Sequence, residues 1–421
     1  MADVQPLRAL HYALEKTGGL QPVVAPPYDV IYNEGRAALL EQSPYNVVAI
    51  DLPISGNGGD PYEHAAAMLA QWRAEGAVVQ DEQPTLWPIE QDYVGPDGRA
   101  RTRRGFLARV HVDDYGPGRI RPHERTHPGP KEDRLRLTRA TRANLSPIFA
   151  LYSDPEQRVW KAFERATSDP PWGETVDPDG TVNRLWRVDD PAAIAAVQAA
   201  TADAELLIAD GHHRYETARV YADEIGGDGP HRYVLMCLVA LEDPGLTVFP
   251  THRLVRNLTE VQWTELRRTI DADFTMVPLD SVDQLPPPEN EDLELGYIDV
   301  REKRPYRLVL RDHAIADAAM PERSEAYRHL DTAVTEALLI KGALGMSDEQ
   351  IDHLDGLGYA RNEQQAIELV LDGEYDAALF MAPTPVQRVR DVASSGESMP
   401  PKSTFFFPKV PTGLLFNPLT D

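Results

Sequence analysis

Apolar residues along this chain of 421 residues follow two periods. Short alternating or continuously apolar runs predict strands at Val23-Val24, Val47 to Asp51, Phe106 to Val112, Leu206 to Ala209 and Tyr233 to Leu241. The same reading predicts strands at Leu295 to Val300, Tyr306 to Leu310, Ala377 to Met381 and Thr404 to Phe407. Longer stretches with helical spacing predict helices at Tyr62 to Glu75, Glu156 to Ala166, Ala192 to Ala202, Tyr215 to Ile225, Tyr327 to Leu339 and Glu363 to Leu371. Asp189-Asp190-Pro191 gives the third of these an acidic cap and a first-turn Pro, and Gly226-Gly227 stops the fourth. Strands alternating with helices predict the α/β class, in a mixed α+β arrangement of mixed sheets with flanking helices.

At roughly 100–200 residues per domain, the length predicts two or three domains. The weak break near Ser168 to Pro178 and the Pro-rich stretch Leu285 to Asp292 divide the chain into three regions. These are 1–170 with a basic loop, 171–285, and 286–421, or else one interlocked unit. The single cysteine, Cys237, lies in an apolar run, which excludes an internal disulfide and a cysteine zinc site. No basic stretch leads into an apolar one at the start, and no run nears ~18 apolar residues, so a cytoplasmic protein without membrane contact is expected.

Charge changes the picture locally. The net charge is −25, yet the segment Arg99 to Arg142 carries 13 Lys/Arg against 5 Asp/Glu, leaving −33 on the rest. A cationic segment in an acidic protein focuses small anions, unless it forms a solvated, salt-bridged face.

The densest chemistry is Leu206-Leu207-Ile208-Ala209-Asp210-Gly211-His212-His213-Arg214-Tyr215. An apolar strand runs into a Gly turn and then a helix, which is where α/β folds place ligands. Free N–H groups and the positive helix end favour phosphate. Gly211 permits close approach, and Arg214 can grip phosphate with two N–H groups. Asp210 is a candidate base or imidazole orienter, and His212 and His213 are candidate proton carriers. The bland alternative is that Asp210 caps the helix and the histidines pack. Neighbouring side chains diverge, so no metal ligand set is assigned here.

His123-Glu124-Arg125-Thr126-His127 has the spacing of a zinc-protease helix, but Pro122 precedes it and Pro128-Gly129-Pro130 follows. Proline at 128 opposes a continued helix, so a loop is expected. In a loop, Glu124 can take a substrate proton, His123 can touch substrate, and Lys131, Arg134, Arg136 and Arg139 can meet phosphates. Pairing of Glu124 with Arg121 or Arg125 is the bland alternative. Pro400-Pro401-Lys402-Ser403-Thr404 is not a P-loop, because Pro401 stands where a Gly N–H is needed and a strand follows. Lys402, Ser403 and Thr404 remain candidates for contacting an anion from a loop.

Several stretches together resemble a prokaryotic family catalogued as domain of unknown function 1015. They are Ala25-Pro26-Pro27-Tyr28-Asp29-Val30, His123-Glu124-Arg125-Thr126 with Pro130-Lys131, Ser146-Pro147-Ile148-Phe149, Ala209 to Tyr215, Pro250-Thr251-His252-Arg253, and Met399 to Lys409. The combination covers the chain from about residue 6 to the end. It puts Tyr28 and Asp29 among candidate substrate contacts. Around 206–220 the chain also resembles the ParB/sulfiredoxin superfamily, which includes a free-serine kinase and nucleotide-binding partition proteins. That resemblance implies nucleotide phosphate on Gly211-His212-His213-Arg214, with Asp210 assisting transfer and Glu124 taken as the distant assisting Glu.

The function expected is a phosphate- or nucleotide-binding small-molecule enzyme, a phosphotransferase or a phosphohydrolase. ATP or ADP with Mg2+ would be the cofactor, and a phosphorylated or hydroxyl-bearing small molecule the partner. One alternative is a ParB-like nucleic-acid regulator, which the acidic charge opposes. The other is a metal-dependent hydrolase using His123, His127, His212 or His213.

Overall fold

Strand and helix alternate as the periodicity requires, and the fold is mixed α/β with mixed sheets and flanking helices. The computed structural model describes residues 2–31, 33–55, 58–95, 97–124, 128–288 and 293–420. They form two compact units, 1–246 with 408–421, and 247–407. Residue 170 therefore falls inside the first unit and residue 285 inside the second. Of the Pro-rich stretch, Leu285 is buried in the second unit's core with Leu254, Ile298 and Phe380, while 289–292 lie outside the described residues.

In the first unit a nine-stranded sheet runs in the order Ile120–Arg121, Leu206–Asp210, Ile148–Tyr152, Tyr233–Ala240, Ala100–His111, Trp87–Val94, Val182–Leu185 and Gly173–Val176, with Val4–Gln5 also on Ala100–His111. The 206–210 strand is parallel to 120–121 and antiparallel to 148–152. Alternate residues Phe106, Ala108 and Val110 pack with Ile148 and Ala150, Met236 and Leu238, and Leu206 and Ile208. Val159 and Phe163 of the Arg158–Thr167 helix, Val197 of Pro191–Thr201, and Tyr215 and Ala218 of His212–Ile225 join that core. A fully buried central strand such as 148–152 fits a sheet covered on both faces.

Four expectations need correction. Val47 to Asp51 is not a strand: Val48–Asp51 is a buried helical turn, started by the Asn46 side chain accepting the Val48 N–H at 3.0 Å. Val23-Val24 lies in a turn closed by the Val23 and Val24 N–H groups on the Leu20 carbonyl. Tyr327 to Leu339 is broken at Leu330, whose extended backbone separates Glu325–Arg328 from Asp331–Val334 and the π-helical Thr335–Ala343. The basic segment is helical over Pro128–Thr141, because prolines in a first turn withhold N–H groups that have no intrahelical partner there.

In the second unit Phe274–Pro278, Tyr306–Leu310, Glu294–Asp299, Ala377–Phe380, His252–Val255 and Leu357–Ala360 form an antiparallel sheet in that order. Asp331 opens a short helix here, and burial pushes its carboxyl up to about 6 despite the nearby Arg388. The folded value exceeds the ordinary ~3.9, so this group's contribution is fully present below pH ~4 and lost as pH rises through 6. Asp331→Asn is expected to match the parent in urea unfolding at pH 4 and to exceed it by ~2–3 kcal/mol at pH 8. A variant less stable than the parent at pH 8 would contradict this. Among the described residues no helix is long and apolar enough to cross a membrane.

Candidate active site

The 206–210 strand ends on Asp210, and Gly211 turns the chain with φ of 94° into the 14-residue helix His212–Ile225. The helix begins at His212, three residues before the sequence-based start, because Gly211 takes the left-handed conformation that ends the strand abruptly. A Cβ on Gly211 would also lie 3.0 Å from Arg214 Nε and 3.1 Å from Cζ. The guanidinium therefore packs flat on the turn. Gly211 supplies no side-chain cap to the helix.

Arg214 Nη2 donates to Asp210 Oδ2 at 2.6 Å, and its Nη1 donates to the Pro147 carbonyl. Lys409 Nζ donates to Asp210 Oδ1. Burial alone would raise the Asp210 carboxyl, but Lys409 and then Arg214 overcome it and hold it well below the usual carboxylate range. So low a basicity makes Asp210 a poor proton acceptor. Its geometry suits an anchor for two cations.

His212 and His123 are buried, with ring centres 4.7 Å apart. The His123 backbone N–H donates to His212 Nε2 at 3.3 Å, so His212 carries its proton on Nδ1. His123 Nδ1 lies 2.6 Å from the Ile208 carbonyl, which fixes the proton there and leaves Nε2 with the lone pair. Burial lowers both imidazoles, His212 strongly, so both are neutral near pH 7. Glu124 is half-buried and its charge acts on His123. His213 is half-buried and acts electrostatically on His212.

A second charged cluster lies in the same unit. Arg134 Nη1 donates to the Asp51 carboxylate at 3.1 Å and to its carbonyl at 2.8 Å, while Nη2 meets Asp133 at 2.6 Å. The guanidinium sits 4.4 Å from the Tyr28 ring centre, and Asp29 beside it is exposed. Ser146 Oγ lies 2.9 Å from Thr412 Oγ1 and donates to Asp51 at 3.5 Å. A cavity of about 40 Å³ is lined by Asp51, Arg134, Ser146, Arg214 and Thr217. That is room for a few waters, not for a nucleotide.

Other candidate residues sit differently. Most of the basic segment is distributed over ion pairs: Arg101 with Asp97, Arg104 with Glu90, Arg119 with Asp113, Arg121 with Glu205, Arg136 with Asp60 and Arg139 with Glu224. The salt-bridged face is thus what the fold makes of the +8 segment, and Arg134, Arg136 and Arg139 already serve carboxylates. Lys131 is half-buried, and its carbonyl accepts from Thr217 at 3.5 Å. Lys402, Ser403 and Thr404 belong to the second unit. There Lys402 is exposed with φ of 55°, and the buried Ser403 hydroxyl donates to the Pro400 carbonyl at 2.7 Å and lies 3.1 Å from the Thr332 hydroxyl. His127 lies outside the described residues. Among the described residues no group of three or more His, Cys, Asp or Glu is placed to hold a metal ion.

Sequence reasoning did not pair Lys409 with Asp210, and it did not single out Asp51, Ser146 or Thr412. Lys409 stands 199 positions from Asp210, and only its place at the end of the family-like stretch Met399 to Lys409 signals it.

Solved structures similar to this chain include a conserved hypothetical protein from Pyrococcus furiosus, at 13% identity over 70% of this chain and 90% of that one, with a TM-score of 0.36. Others are a free serine kinase variant in complex with ADP, at 10% identity over 68% and 84% with a TM-score of 0.37, and a C-terminally truncated SbnI from Staphylococcus aureus, at 12% over 71% and 82% with a TM-score of 0.36. Likeness at this level carries no argument about activity. No curated protein matches the sequence. The model of the family of proteins of unknown function designated DUF1015 matches residues 4–333, and the chain belongs to that family.

Proposed function

We propose that the Gly211 turn binds the phosphate of a nucleotide or phosphorylated small molecule, and that the protein transfers a phosphoryl group to a hydroxyl or to water. One observation carries this reading. Lys409 and Arg214 converge on Asp210 at the amino end of a 14-residue helix whose cap residue has no side chain. First-turn N–H groups, the helix dipole and two cations together favour a phosphate at that point. Asp210 anchors the cations, and Glu124 beside His123 takes the proton of the attacking hydroxyl. Phosphoryl transfer asks mainly for such positioning and charge neutralisation. Mg2+ would arrive with the nucleotide.

Calorimetric titration with ADP, Mg2+ and inorganic phosphate tests the binding. Lys409→Met is expected to weaken phosphate binding about 10–100-fold, the worth of one charge-assisted contact. Phosphorus NMR with ATP and a panel of hydroxy amino acids tests the chemistry, and Glu124→Gln should lower turnover while leaving ADP affinity unchanged. Absence of heat with every nucleotide and phosphate, together with absence of any transfer or hydrolysis, would end this reading.

A further inference from the structure

We propose a second ligand site in the first unit, a groove lined by Pro6, Arg8, Pro84, Arg109, Pro230 and Pro418 that takes a small organic anion with a flat apolar body, an aryl carboxylate or aryl phosphate. Its volume is about 300 Å³, at the lower end of small-molecule sites. None of these residues belongs to the Asp210 turn, so the site stands or falls separately from the proposed phosphoryl transfer.

Charge is the first argument. The protein carries −25, and its arginines mostly meet carboxylates, yet Arg8 and Arg109 form no ion pair among the described residues. Arg8 Nε donates only to the Asp81 carbonyl, at 3.1 Å. Arg109 Nε is buried with no hydrogen-bond partner, and its guanidinium carbon lies 4.7 Å from the Tyr233 ring centre. Two acids of the same unit, Asp81 and Asp3, have other side chains as partners. Asp81 takes Arg187 at 2.6 Å and His11 at 3.3 Å, and Asp3 takes the Tyr233 hydroxyl at 3.0 Å and the Gln5 amide. Two arginines line one groove whose lining residues include no carboxylate, and that calls for an anion from outside.

Shape is the second. Four pyrrolidine rings make rigid apolar walls with no N–H to satisfy, and their fixed φ angles hold the groove before a ligand arrives. Asn417 in the floor is locked by donating to Asn144 at 2.9 Å and to the Tyr233 carbonyl at 3.2 Å. A planar ring fits between such walls, with its charged substituent at the guanidinium groups.

Calorimetry of the full chain with phenyl phosphate and benzoate tests this, with inorganic phosphate and phenol as the charge-only and ring-only controls. Both aryl anions should bind and phenol should not. Arg109→Gln should weaken them at least tenfold, and Arg8→Gln, at an exposed position that leaves the fold intact, severalfold. Lys409→Met should leave benzoate binding unchanged. No binding of either aryl anion, or binding untouched by Arg8→Gln and Arg109→Gln, overturns the proposal. Loss of benzoate binding in Lys409→Met alone would assign it to the Asp210 turn and overturns it equally.

Discussion

Arg134→Ala is expected to lower folding stability by ~3–5 kcal/mol at pH 8, the usual consequence of removing one partner of a buried ion pair. The side chains of Arg134 and Asp51 are each only 6% exposed. Burial already pushes the Asp51 carboxyl up, and Arg134 is the largest influence opposing that rise. Without the guanidinium the carboxyl rises further and takes a proton on folding. A raised folded value means stability that is present at low pH and lost as pH rises. The deficit of the variant should therefore shrink between pH 8 and pH 4. Arg134→Met combined with Asp51→Leu removes both charges at once and should recover most of the loss, because an apolar pair of similar size tolerates burial. Urea unfolding followed by circular dichroism at the two pH values measures all of this. A loss under ~1 kcal/mol in the single variant would show that the pair does not hold the Val48–Asp51 turn against the Pro128–Thr141 helix.

The reach of sequence reading in this chain follows the range of the interaction. The 206–210 strand, the Gly211 turn and the helix after it were legible, because apolar period, glycine and helix start are all local signals. The Glu260–Asp273 helix was readable too, since Thr259 and Gln262 form a reciprocal capping box, but its sparse apolar face hid it. Val48–Asp51 was misread because a four-residue apolar run has no period; only the Asn46 side chain on the Val48 N–H, a turn-type signal, decides it. The basic segment stayed open between its two readings for a different reason. Its charges are adjacent in sequence, but their partners Asp51, Asp60, Glu90, Glu205 and Glu224 come from elsewhere in the chain. Lys409 on Asp210 is the extreme case, a contact made only after the chain has passed through the whole second unit.

That long-range contact gives the sharpest test of the site. Asp210→Ala is expected to destabilise the protein by ~3–5 kcal/mol at pH 7, because it leaves Arg214 and Lys409 facing the gap of their shared carboxylate. The parent's Asp210 is held well below its ordinary value. A depressed folded value contributes stability that is present above pH ~4 and lost as pH falls below it, so parent and variant should converge in acid. Phosphate should partly replace the missing carboxylate. Inorganic phosphate is then expected to raise the melting temperature of Asp210→Ala more than that of the parent, since the anion no longer competes with Asp210 for the two cations. Phosphoryl transfer should fall at the same time, because the cations lose their fixed orientation. Asp210→Asn separates charge from shape: it keeps hydrogen-bonding capacity toward Arg214 and should rescue stability in part, but not turnover. If phosphate stabilises the parent and Asp210→Ala equally, the carboxylate is only a structural tie between the 206–210 strand and the 408–421 segment, and the turn holds no anion.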